Sequence, residues 1–178
     1  MICADCHDHR PRTRTPRPRD PGHSQPVIAT STALYDYEPR PLEQVLAFLA
    51  ARREGGWPVL VALDDSQRVM GFGSFGPFRA FPAYKYTVEH SLYVAAEHRR
   101  RGVGRALLST LIDQAVGRRL HVMVGVIDAA NLPSIRLHRR FGFVHAGTIR
   151  HAGFKFNRWL DAEFHQLVLP TPPDPADG

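Results

Sequence analysis

Between Leu92 and Leu108 the chain reads Leu-Tyr-Val-Ala-Ala-Glu-His-Arg-Arg-Arg-Gly-Val-Gly-Arg-Ala-Leu-Leu, a strand pattern that passes through a basic loop into a helix pattern. Gly102 and Gly104 fall at the head of the helix, where backbone N–H groups lack an intrahelical acceptor and the dipole favours an anion. Glycine lets a pyrophosphate approach those groups, and Arg99, Arg100, Arg101 and Arg105 add charge-assisted donors. The segment reads as a phosphate cradle rather than a solvated basic loop. Just before it, Tyr86 to Val94 alternates, with Thr87, Glu89, Ser91 and Tyr93 on one face and Tyr86, Val88, His90, Leu92 and Val94 on the other. Glu89 thus has a definite face, and His90 points away from it as a packed or hydrogen-bonded histidine. Arg79 and Lys85 lie on the loop entering that strand, and Arg79 offers a planar fork for a carboxylate.

Two other patterns carry less. Gly71-Phe-Gly73-Ser-Phe-Gly76 satisfies the dinucleotide fingerprint, but Pro77 and Pro82 follow where that motif requires a helix. Glycines in a strand approached closely by a ligand or another chain are the reading instead. Cys3-Ala-Asp-Cys6 with His7 and His9 could be half of a zinc site or a haem attachment string. The stretch shows no export signal and no supporting core, so the expectation is exposed reduced thiols and no metal.

The elements that must hold these residues follow from periodicity. Leu42, Val45, Leu46 and Leu49 predict an amphipathic helix ending by Gly55-Gly56. Pro58–Leu63 and Val69–Phe75 predict a hairpin around Asp64-Asp65-Ser66-Gln67. Val103, Leu107, Leu111 and Ala115 mark a helix, Leu120–Ile127 a buried strand, and Asn131–Arg140 a short helix with Pro133 in its first turn. Phe143–Ile149 and Glu163–Leu169 complete a mixed sheet covered by helices, an α/β (α+β) domain. Residues 1–26 hold five Pro and five Arg with almost no aliphatic side chains and read as a disordered tail; 27–170 is the globular domain, and 171–178 a second disordered tail.

Arg99-x-x-Gly102-x-Gly104 resembles the Gln/Arg-x-x-Gly-x-Gly/Ala signature of the GCN5-related (GNAT) acetyltransferases. Asn131, Ser134, His138 and Phe141-Gly142-Phe143 are similar to the family's second cofactor segment. Thr30-Ser31-Thr32, Thr87-Val88-Glu89-His90-Ser91 and Gly153-Phe154-Lys155-Phe156-Asn157-Arg158-Trp159 resemble the phosphinothricin and methionine sulfone or sulfoximine acetyltransferases, over about residues 27–169. The chain departs from the family ahead of Thr30, where relatives carry a first strand and an apolar helix.

The resemblance implies a mostly antiparallel sheet splayed to admit acetyl-CoA, held by Leu92, Val94, Arg99, Arg100, Arg101, Gly102, Val103, Gly104, Arg105, Asn131, Ser134 and His138. It implies a small amino-acid-like acceptor bound by Phe78, Arg79, Tyr84, Lys85, Glu89, Phe154 and Lys155, and a homodimer sharing the GFKFNRW segment. An amine attacks a thioester only when neutral, so a carboxylate should take its proton, and Glu89 is the candidate general base. His138 stands where many family members have a tyrosine that protonates the leaving thiolate; it either donates a proton or only contacts the cofactor.

The net charge of +6 admits nucleic acid or a polyphosphate ligand. The densest basic cluster lies at the glycines rather than in the tail, which favours the polyphosphate ligand over a nucleic-acid binder. A protein N-terminal or ribosomal acetyltransferase would share the cofactor site and differ in an open peptide groove. No apolar run reaches the roughly 18 residues of a membrane span, and no secretory signal is visible, so the expected location is cytoplasmic.

Overall fold

A computed structural model describes residues 2–3 and 41–177. Among the described residues the order is β1 (Ile2–Cys3), α1 (Leu42–Glu54), β2 (Val59–Leu63), β3 (Val69–Pro77), β4 (Thr87–Val94), α2 (Val103–Gly117), β5 (Val122–Asp128), α3 (Leu132–Arg140), β6 (Val144–Lys155) and β7 (Arg158–Val168). Short 3₁₀ turns at Pro82–Tyr84 and Ala96–His98 flank β4. The strands form one sheet in the order β1-β2-β3-β4-β5-β7-β6, antiparallel throughout except for the parallel pair β4–β5.

That parallel pair decides where the site lies. β4 and β5 are paired from Thr87↔Val122 to His90↔Gly125, after which the pairing ends. Ser91 to Val94 stay bonded to β3, while Val126 to Asp128 stay bonded to β7. The centre of the sheet therefore opens beyond His90, as the splayed sheet requires.

Helix α2 anchors the core because Val103, Leu107, Leu108, Leu111 and Ala115 share its buried stripe. They pack with Leu60, Ala62, Phe75, Val88 and Met123 of the sheet. The approach is close: a Cβ on Gly73 would stand 2.9 Å from Leu111 Cδ1, and one on Gly71 would stand 3.3 Å from Leu107 Cδ1. The tightest contact differs along the rejected fingerprint: a Cβ on Gly73 meets α2 first, one on Gly71 meets the Tyr93 carbonyl of β4 at 2.5 Å, and one on Gly76 meets Arg52 of α1.

Four expectations are corrected. The leucine stripe of α1 does not face the core: no residue of the helix is buried, and Leu42, Leu46 and Leu49 are 51%, 55% and 40% exposed. The last two strands are longer than the apolar pattern marked, running to Lys155 and from Arg158 and closing over Phe156 and Asn157, both at positive φ. Residues 170–177 carry no helix or strand, yet hydrogen bonds join them to the domain. Thr171 donates to the Leu120 carbonyl, its own carbonyl lies 2.7 Å from His121 Nδ1, and Ala176 N donates to Tyr86 Oη. At the other end, Ile2 and Cys3, expected in the disordered tail, pair with Ala62 and Val61 at the sheet edge. Thr30-Ser31-Thr32, Cys6, His7 and His9 lie outside the described residues. No helix among the described residues is long and apolar enough to cross a membrane.

Candidate active site

The cradle forms where β4 ends. Ala95 N bonds back to Met70, a 3₁₀ turn follows, and the loop turns into α2 through Arg100 (φ 61°) and Gly102 (φ 84°). A side chain at Gly102 would be strained by that backbone. Within α2 the first bond to the cap runs from Ala106 N to the Gly102 carbonyl, and no side chain caps the helix. The N–H groups of Val103, Gly104 and Arg105 are thus free of helical acceptors and face the loop. Arg99 holds the loop to the strand by donating from Nε to the Val94 carbonyl at 3.3 Å, and Arg101 Nη1 lies 3.5 Å from His98 Nδ1. Arg100 and Arg105 are exposed. A Cβ on Gly104 would meet Leu137 Cδ2 at 3.3 Å and Val94 Cγ2 at 3.5 Å, so α2, α3 and the end of β4 converge there.

This arrangement fits a pyrophosphate carried on a long arm. Three donors without helical acceptors, a left-handed glycine and flanking guanidiniums could receive the charge. Beside them the opened edge of β4, carrying Leu92 and Val94, offers backbone groups to the arm. Asn131 stands across the opening as the N-cap of α3, accepting from Ser134 N at 3.3 Å through Oδ1.

His138 is only 1% exposed. Its Nδ1 faces the Ser134 carbonyl at 2.7 Å and its Nε2 faces His90 Nε2 at 3.1 Å. A carbonyl only accepts, so Nδ1 of His138 carries the hydrogen, and its bare Nε2 accepts from the Nε2–H of His90. The rings stack with centroids 5.0 Å apart, and Phe143 meets both edge-on. Burial lowers the His90 pKa to about 3, and the neighbouring His138 adds to the effect. Burial likewise holds His138 below the ordinary histidine value, against the pull of the Ser134 carbonyl and with a further push from His165. Glu89 projects from the other face of β4, so the structure does not bring Glu89 and His138 together.

Glu89 lies instead in a cationic aromatic corner. Its Oε2 is 3.9 Å from Arg79 Nη1, with the carboxylate side chain 40% exposed. Arg79 donates to the Phe78 carbonyl at 2.7 Å and lies 4.1 Å over the Phe78 ring, which meets Tyr84 edge-on at 5.8 Å. Lys85 is exposed and sits 5.2 Å over Tyr86. Phe78, Arg79, Tyr84 and Glu89 are thereby assembled. Phe154 and Lys155 are at the tip of the β6–β7 hairpin, where Phe154 packs edge-on against Trp159 at 5.1 Å and Lys155 is buried beside Phe156. Strands β5 and β7 stand between β6 and β4.

One neighbour of Glu89 was not legible in the sequence. Arg52, from the last turn of α1, lays its guanidinium against Gly76, the residue paired with Glu89 across β3 and β4. A Cβ there would be 1.5 Å from Arg52 Nη1. Burial draws the arginine's pKa down, and the Glu89 charge opposes the change. The flagged closeness at the strand glycines was the available signal.

Residues 26–143 match the model of the acetyltransferase (GNAT) family. An L-methionine sulfoximine/L-methionine sulfone acetyltransferase of Pseudomonas paraeruginosa is 43% identical over 143 residues, covering 80% of this chain and 83% of that protein. An acetyltransferase structure from Acinetobacter baylyi superposes with a TM-score of 0.84 at 51% identity, covering 87% of each chain. A ribosomal-protein-alanine N-acetyltransferase from Brucella melitensis gives 0.79 at 40%, covering 83% and 90%. A phosphinothricin acetyltransferase from Sinorhizobium meliloti, solved with acetyl-CoA, gives 0.79 at 34%, covering 83% and 80%. The chain belongs to the GNAT family as an acetyl-CoA-dependent N-acetyltransferase.

Proposed function

We propose that the chain acetylates the α-amino group of a small free amino acid of the phosphinothricin, methionine sulfone or methionine sulfoximine type, with Glu89 as the general base. The observation that carries this reading is the pairing of Glu89 with Arg79 at the mouth of the corner formed by Phe78 and Tyr84. A carboxylate that takes the ammonium proton stands beside a fork that takes the carboxylate of the same molecule. In an α-amino acid those two groups diverge from one carbon, so a pair of sites a few ångströms apart can orient the amine. Acetyl-CoA, held by the α2 donors, Arg99, the β4 edge and Asn131, supplies the thioester. Glu89, half open to solvent, accepts the ammonium proton directly or through one water; the neutral amine attacks the thioester carbonyl, the C–S bond breaks, and CoA leaves as a thiolate that takes a proton from solvent. His138 enters as the residue that fixes the Asn131–Ser134 turn from beneath, through the Ser134 carbonyl. The names of the methionine sulfone and phosphinothricin relatives support this acceptor class.

In the same reading two copies pair through the hairpin tip, where Phe156 and Trp159 are 49% and 59% exposed. Sedimentation of the wild type against Trp159→Lys measures that pairing.

The ribosomal-protein relative favours one rival, acetylation of a protein N-terminus. A panel of methionine sulfone, phosphinothricin, methionine sulfoximine and alanyl peptides, followed by release of free thiol, separates the two. Glu89→Gln should lower turnover on the amino acids by roughly 10²- to 10⁴-fold with acetyl-CoA affinity retained. The loss should shrink as pH rises and neutral amine becomes abundant. Faster turnover of the peptides, or a wild-type rate for Glu89→Gln, defeats this assignment and leaves the acetyltransferase identity standing.

A further inference from the structure

We propose that Arg52 is a specificity-determining residue, its guanidinium receiving the phosphinate or sulfone oxygens of the acceptor's side chain while Arg79 receives the α-carboxylate. The inference rests on the acceptor reading above and adds to it a second anion-binding group.

The guanidinium is placed by three features. It is carried on the last turn of α1, 5.0 Å over the Phe48 ring one turn earlier, so its direction is fixed by its own helix. It lies on Gly76, the only residue type that leaves room, since Nη1 occupies the space of a Cβ. Gly76 is the cross-strand partner of Glu89, which sets the cation on the base's side of the sheet. Arg79 reaches the same carboxylate from the loop after β3. Two cations thus flank Glu89 from different elements.

Their surroundings differ. Arg79 is half exposed, touches Glu89 and donates to Phe78. Arg52 is partly buried, and among the described residues no carboxylate lies within ion-pair distance of it. Glu89 acts on this partly desolvated cation through space but not as a contact pair, and an arriving anion in contact offsets more of its desolvation. An α-amino acid held with its amine at Glu89 sends its carboxylate and side chain in divergent directions from one carbon. One fork can take each. An acceptor whose side chain has no anionic or strongly polarised oxygen leaves Arg52 without a bonding partner from the substrate, and sites built to bond a substrate group reject analogues lacking it. The pair of forks therefore selects phosphinate- and sulfone-like side chains over plain thioethers of similar size.

The test uses the full chain with three acceptors, L-phosphinothricin, L-methionine sulfone and L-methionine, and measures kcat and KM for each. Arg52→Gln should lower the kcat/KM ratio of phosphinothricin to methionine by about ten- to a hundredfold, mainly through KM. Arg52→Lys should restore part of it, because a point charge replaces a fork. Gly76→Ala should lower the same ratio by displacing the guanidinium while leaving Arg52 in place, and it carries the test should Arg52→Gln fail to fold. Thermal melting and acetyl-CoA affinity by calorimetry report folding. An unchanged ratio in the folded Arg52→Gln or Gly76→Ala protein, with both acceptors slowed alike or neither slowed, overturns the proposal while the acceptor class stands. A wild type that acetylates peptides and none of the three amino acids overturns both.

Discussion

Replacing Gly125 by alanine probes the buried pair of imidazoles through the one position that separates them from β5. A Cβ there would stand 2.7 Å from His90 Nε2 and 3.4 Å from both His90 Cε1 and His138 Nε2. Neither ring can step aside cheaply. His90 belongs to a central strand and pairs with Gly125 itself, and His138 is tied to the Ser134 carbonyl at 2.7 Å. The added methyl must lengthen a 3.1 Å hydrogen bond in a place that water does not reach. Overpacking costs about 1–3 kcal/mol, and a buried donor and acceptor left unpaired cost about 1–3 kcal/mol more. One small shift of the rings relieves part of both, so the combined loss is expected in the lower part of the summed range, roughly 2–4 kcal/mol. At about 2–4 °C per kcal/mol for a chain of this size, the melting temperature should fall by about 5–15 °C. Circular-dichroism melts and urea titrations measure the loss, and imidazole ¹⁵N shifts report which nitrogens carry hydrogen. A change below about 2 °C with unaltered ¹⁵N shifts would refute the contact and the tautomers deduced from it.

Gly104→Val should weaken acetyl-CoA binding by about tenfold or more, because its branches add to a Cβ already 3.3 Å from Leu137 and block approach to the α2 N–H groups. Calorimetry on the folded variant checks it, and unchanged affinity would remove the cradle from the mechanism. The buried histidines should also give the fold an acid limb. Both are neutral when folded, His90 down to about 3 and His138 below its ordinary value, whereas an unfolded imidazole protonates near 6.5. Below that pH the unfolded chain binds more protons, so stability is full above about pH 6.5 and drains as pH falls toward the folded values, by up to about 1.4 kcal/mol per unit for each ring. Urea titrations at pH 7.5, 6.0 and 5.0 should show a shallower decline in His90→Phe, and parallel declines would refute this account.

The cradle was legible because everything it needs is contiguous: strand, loop, two glycines and a helix start within Leu92–Leu108. The contacts that organise the rest of the site join distant residues. His90 meets His138 across 48 positions, and Arg52 meets Gly76 from another element, and no periodicity encodes either meeting. The leucine spacing of Leu42, Leu46 and Leu49 announced a helix correctly but says nothing of what lies against its stripe, which is here exposed. The long hairpin was hidden for two reasons. Arg150, His151, Arg158 and Asp161 break the apolar alternation. Its two-residue turn is Phe156-Asn157, with phenylalanine rather than glycine or asparagine first at positive φ, so the usual turn signal is missing.

The parting of β4 from β5 gives this enzyme an edge in the middle of its own sheet. Beyond the four rungs from Thr87 to His90, each of the two central strands shows one unbonded side to the slot, β4 from Ser91 to Val94 and β5 from Val126 to Asp128. One half, β2–β3–β4 with α2, and the other, β5–β7–β6, are joined by few direct sheet bonds. A thioester arm lying in the slot would act as a further rung. The molecule should therefore be looser without its donor than with it: amides of Ser91–Val94 should exchange with solvent faster in the free protein. A donor at a hundred times its dissociation constant should add about 2.7 kcal/mol of stability by mass action. The spent thiol product, whose arm would lie in the same slot, should tighten the protein in the same way.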